Sequence, residues 1–109
     1  MNNFDKFKLI LQKRIEQEEE DYIQIEKIWN EMVEIFSSNI EYTNKFLTTE
    51  CTADEFSTLS EVFDEIAEKT KSLEFIETLE ALTLKFPEET KKYNILSFID
   101  SAKLVVINQ

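Results

Sequence analysis

One thiol and twenty-three carboxylates are the chemical resources of this chain, and there is no histidine to assist either. Without imidazole there is no Ser-His or Cys-His pair and no nitrogen ligand for a metal. Glycine is absent too, so neither a P-loop nor a Rossmann turn can be built, because both need backbone positions that suit only glycine. Cys51 follows Glu50, whose negative charge raises a thiol pKa and weakens the nucleophile. A carboxylate-bridged di-metal site in a helical bundle uses Glu-x-x-His, and a calcium loop uses Asp-x-Asp-x-Asp-Gly; this chain has neither. Carboxylates acting alone as general acid and base need a pKa shifted by burial, and no Asp or Glu falls clearly inside an apolar stripe. No catalytic residue, metal or cofactor is expected. The inventory points to a binding protein and not an enzyme.

The charge balance says what such a protein would bind. Twelve Lys and Arg stand against the twenty-three acids, for a formal net charge of −11. Such a field repels phosphate backbones and anionic lipid surfaces and attracts basic partners. Residues 1–51 carry six bases and eleven acids, and residues 52–109 carry six and twelve. No shift in charge, repeat or linker divides the chain, so one domain over residues 1–109 is expected. Nine phenylalanines and a 42% hydrophobic content separate it from disordered acidic chains. A lone cysteine, no basic-then-apolar leader and no apolar run of the ~20 residues a membrane span needs lead to the expectation of a soluble cytoplasmic protein.

The hydrophobic period is helical almost throughout. Phe4, Phe7, Leu11 and Ile15, with Ile10 beside them, predict a first helix over about Asn3 to Glu16, and the acidic run to Asp21 reads as a connection. A second helix, from near Glu20 to Ser37, has Tyr22, Ile25, Trp29, Met32, Val33 and Phe36 as its stripe, widened by Ile23, Ile28 and Ile35. Apolar over so much of its circumference, it is expected at the centre. Ser37-Ser38-Asn39 weakens it, and a third helix from Asn39 to Leu47 follows. Thr52-Ala53-Asp54-Glu55 matches a capping box and predicts a fourth helix from Ala53 to near Thr70. Ser72 caps a fifth through Lys85, and Phe86-Pro87 breaks it. Pro87 then opens a segment that Asn94 is placed to interrupt or re-cap, and Ile95, Phe98, Ile99, Ala102, Val105 and Val106 form the last core stripe. The expected fold is all-α: a single-domain antiparallel bundle, or a short helical-repeat-like stack, of about six helices.

Charge is organised on the fourth helix. With Phe56, Leu59, Phe63 and Ile66 facing inward, Asp54, Glu61, Glu65 and Glu68 fall on the opposite side, with Asp64 at its edge. No base lies between Asp54 and Glu68. On the fifth helix Leu73 and Leu84 lie on the outer side among Glu77 and Glu80. Either a neighbouring helix buries the two leucines, or they are apolar anchors in an acidic rim. Asp54, Glu61, Asp64, Glu65, Glu68, Glu77 and Glu80 are therefore the candidate partner-binding residues. Charge reversal there is expected to leave the fold largely intact.

The stretch Cys51-Thr52-Ala53-Asp54-Glu55-Phe56, with Leu59 to Ile66, Ser72 to Ile76, Lys85 to Glu89 and Tyr93-Asn94-Ile95, resembles small helical immunity proteins of contact-dependent growth inhibition and other polymorphic toxin systems. The resemblance covers residues 29–106 and rests on helix caps and core positions. It implies a cytosolic antidote that binds the C-terminal toxin domain of a cell-surface effector, often a nuclease and in some systems an EndoU-like RNase. It supplies no interface residues. The alternative is an acidic adaptor or regulatory subunit of a larger assembly.

Overall fold

The computed structural model of the chain describes residues 4–108. Within them lie α1 (Asp5–Glu16), α2 (Tyr22–Ser37), α3 (Ile40–Thr49), α4 (Ala53–Leu59), a 3-10 turn (Ser60–Val62), α5 (Phe63–Thr70), α6 (Leu73–Lys85), α7 (Pro87–Lys92) and α8 (Ile95–Ile107). The described residues contain no strand, and the fold is all-α. The position of Asn3, expected to start the first helix, lies outside the described residues.

Most boundaries are set by local chemistry. Asp21, Asn39, Thr52 and Ser72 each accept a hydrogen bond from the backbone amide three residues on, capping α2, α3, α4 and α6. The capping box is complete: Thr52 Oγ1 accepts from the Glu55 amide at 3.2 Å, and a Glu55 carboxylate oxygen accepts from the Thr52 amide at 2.9 Å. Pro87 occupies the first turn of α7. Two left-handed residues make the remaining sharp turns, Lys71 at φ 49° after α5 and Asn94 at φ 53° between α7 and α8. Glycine normally takes such positions, and this chain has none. Asn94 interrupts the last segment, but its side chain does not cap α8.

The fourth helix departs from expectation. It is divided by the 3-10 turn, and Val62, at φ −126° and ψ 19°, lies outside helical geometry. Two causes coincide. Ser57 and Thr58 hydroxyls donate back to the Asp54 carbonyl, and the Ser60 hydroxyl donates to that of Ser57, so side chains compete with the helical ladder. Leu59, Ser60, Val62 and Phe63 are also all buried, and the turn among them packs against α2 and α8. With this break and the one at Asn94, the six expected segments appear as eight α-helices among the described residues.

The core is continuous from Phe4 to Val106. An N-terminal aromatic group joins Phe4, Phe7, Phe36, Tyr42 and Phe46, with Phe7 and Phe36 stacked at 4.5 Å. A second joins Phe56 to Phe63 and Phe86, and Phe63 meets Phe75 edge-on at 6.2 Å. The radius of gyration is 13.0 Å, close to the ~13 Å of a compact chain of this length. α8 lies against α5, α6 and α7, while α2 lies against α1, α3 and α5. α2 is therefore not wrapped on all sides as expected: Tyr22 and Ile23 are exposed and Trp29 and Ile35 half-buried. Ile15 and Phe98, expected in the core, also emerge at the surface, and Arg14 is buried in place of Ile15. No helix among the described residues is long and apolar enough to cross a membrane.

Candidate protein interface

The carboxylates of the α4–α5 segment have three different fates. Glu55 is drawn inward, its side chain 12% exposed, and bonds Lys8 Nζ of α1 at 3.0 Å. Glu61, on the 3-10 turn, holds Arg14 through two parallel bonds, Nε to Oε1 at 2.7 Å and Nη2 to Oε2 at 3.0 Å. Glu61 Oε1 also accepts from Trp29 Nε1 at 2.9 Å, and the Arg14 guanidinium lies 6.0 Å from the Trp29 ring centroid. Bidentate, charge-assisted bonds of this kind fix geometry as well as energy. Asp54 and Glu65 are exposed, and neither carboxylate has a partner among the described residues.

The Arg14–Glu61–Trp29 cluster stands between two surface grooves. One, of about 500 Å³, is lined by Arg14, Ile15, Glu19, Asp54, Glu61, Tyr93 and Phe98, together with Ser57, Thr58 and Ser60. The other, of about 410 Å³, is lined by Tyr22, Glu26, Trp29, Asn30, Val33, Val62 and Glu65. Both combine exposed aromatic or aliphatic surface with carboxylates. Large apolar side chains surrounded by polar groups are the usual anchors of a protein interface.

Of the seven predicted positions, the structure brings Asp54, Glu61 and Glu65 to these grooves. The other four line neither. Asp64 accepts from the Ser101 hydroxyl at 3.0 Å, Glu68 pairs with Lys71 at 3.3 Å, and Glu80 pairs with Lys103 at 3.5 Å. Glu77 is exposed on α6. The single acidic stripe from Asp54 to Glu68 assumed an unbroken helix at about 100° per residue; the 3-10 turn ends that register at Ser60. The pairings also alter the expectation for charge reversal, since reversing Glu61 would set a cation against Arg14. Leu73 and Leu84 are 50% and 85% exposed, which settles their alternative in favour of surface positions.

Sequence reasoning passed over Tyr22, Glu26 and Trp29 on α2, Glu19 in the connection, and Ile15, Tyr93 and Phe98. A signal was present in the stripe of α2, which is wider than the single face its neighbours could cover. Another lay in the acidic run ending at Asp21, beside that stripe.

Cys51 lines neither groove. Its side chain is buried, and burial, followed by the nearby Glu55 carboxylate, pushes the thiol up to about 12 against the lowering influence of Lys8 and Lys85. The acid that raises it is Glu55 and not the adjacent Glu50. Among the described residues no three thiol or carboxylate side chains converge as ligands of a metal ion would.

Comparison of the chain with protein families, with characterised proteins and with solved structures finds no match.

Proposed function

We propose that this protein is an immunity factor that neutralises a cognate toxin domain, a basic nuclease, by binding it tightly in the cytoplasm. The observation that carries the reading is the surface around Arg14, Glu61 and Trp29, where two grooves set exposed apolar side chains among carboxylates. Nuclease sites are cationic because they hold phosphates, and an acidic face docked there or beside it denies access to substrate. Opposite fields also speed encounter, which matters when one toxin molecule turns over many substrates. The net charge of −11 and the resemblance of residues 29–106 to polymorphic-toxin immunity proteins support the same reading.

Co-expression tests it. The protein should protect cells from the toxin domain encoded beside it and from no unrelated toxin, and the two should co-purify in equal amounts. Failure both to bind that domain and to protect would remove the reading and leave the acidic adaptor.

A further inference from the structure

The groove beside α2 differs from its neighbour in one respect that bears on its occupant: no basic residue lines it. Tyr22, Glu26 and Trp29 lie along one face of α2 at spacings of four and three, and Glu65 faces them from α5. Glu26 and Glu65 are exposed, with no ion-pair or hydrogen-bond partner for either carboxylate among the described residues. Tyr22 is 77% exposed. Trp29 is held from behind, its Nε1 committed to Glu61, so its orientation is set before anything binds. Two aromatic side chains and two unneutralised carboxylates lining a cleft of about 410 Å³ suit a cation that is also flat and partly apolar. Aromatic rings attract such a cation through their quadrupoles. A guanidinium suits the site better than an ammonium, because it stacks on rings and bonds carboxylates in a planar fork. The chain supplies its own example: on the other side of the cluster Arg14 meets Trp29 and Glu61 in this combination.

We infer that this groove receives an arginine side chain of the basic protein partner, its guanidinium stacking on Trp29 or Tyr22 and bonding Glu26 and Glu65. The inference rests on the toxin-binding reading, whose partner it describes at the level of one side chain. Trp29 is the only tryptophan, so its fluorescence reports directly on the groove.

The probe is a blocked pentapeptide carrying two arginines, titrated at low salt into the full chain beside matched peptides carrying lysine or uncharged citrulline. The arginine peptide should change Trp29 emission saturably, the lysine peptide should bind several-fold more weakly, and the citrulline peptide should have no effect. A Glu26→Gln, Glu65→Gln double variant should weaken arginine binding about fivefold to tenfold, as the loss of two exposed charge pairs would. An equal response to citrulline, or an unchanged affinity in the double variant, overturns the inference; equal binding of lysine overturns its choice of guanidinium. The titration uses no toxin. A negative titration beside protection by the wild-type protein refutes the groove alone, while failure of the wild-type protein to protect refutes the immunity reading.

Discussion

Two ion pairs join α1 to the α4 segment at the same sequence separation, and they leave opposite surroundings. Lys8 meets Glu55 and Arg14 meets Glu61, each pair 47 residues apart, so α1 runs alongside α4 in the same sense. At the Glu55 end the carboxylate is enclosed and fully committed. The carboxylate completes the capping box, Lys8 also reaches the Glu50 carbonyl at 3.2 Å, and Cys51 is buried beside them. At the Glu61 end the pair lies beside two grooves, with the Asp54 and Glu65 carboxylates left without partners among the described residues. The same residue type, a few positions apart, is structural where its partners are inside the protein and available for binding where they are not. Counting acids could not have separated the two.

The largest effect expected from this contrast is at the closed end. The Cys51 thiol, raised from 9.0 to about 12, stays protonated in the folded chain after it has ionised in the unfolded one. The native state then binds more protons, so stability from this group is complete below pH 9 and falls as pH rises toward 12. The loss is on the order of 3–4 kcal/mol at about 1.4 kcal/mol per pKa unit. Urea denaturation of the wild type and of Cys51→Ala across that range isolates it from lysine and tyrosine titration. Parallel pH profiles would show that the thiol is not shielded. At neutral pH the native thiol should also react with an aromatic disulfide reagent far more slowly than the unfolded chain.

A smaller effect divides the capping box. Thr52→Ala removes one cap hydrogen bond and should cost ~1 kcal/mol, within the usual range of about 0.5–2. Glu55→Ala removes the reciprocal bond and the partner of half-buried Lys8 as well, and should cost ~2 kcal/mol. The denaturation midpoints give the order directly. Equal costs would mean that the Lys8 pair contributes nothing. Neither substitution should change association with a partner, because neither residue lines a groove.

Much of this contrast is legible in the sequence. Thr52, Asp54 and Glu55 announce a helix start within four positions, and Ser72 and the Phe86-Pro87 step are equally local, so the order of helices was legible. The turn at Ser60 was not. It packs against α2 and α8, a tertiary contact that a continuous helical period does not announce. Arg14 escaped for the same reason: a charge beside an apolar stripe reads as surface until its partner, 47 residues away, is in place. Asp54, Glu61 and Glu65 were found from the face they share by period. Tyr22 and Trp29 read as core from sequence because an aromatic in a stripe carries no mark of whether another helix covers it.

The finest test stays within the open end and compares Glu61 with Glu65. Glu61→Lys removes the acceptor of Trp29 Nε1 and sets a cation against an Arg14 side chain that is only 10% exposed. It should cost ~1–2 kcal/mol, reduced from the full value of a charged hydrogen bond because Glu61 itself is partly solvated. It should also shift Trp29 emission in the free protein. Glu65→Lys breaks no contact found in the fold and should cost less than about 0.5 kcal/mol, leaving that emission unchanged in the absence of a ligand. Its consequence should appear only with the proposed basic partner, as an association rate several-fold slower at low salt that converges on wild type as salt screens the field. If Glu65→Lys destabilises the protein as much as Glu61→Lys does, its carboxylate has a structural task and the open end is not open. If it folds normally and associates at the wild-type rate in low salt, the partner does not use this groove.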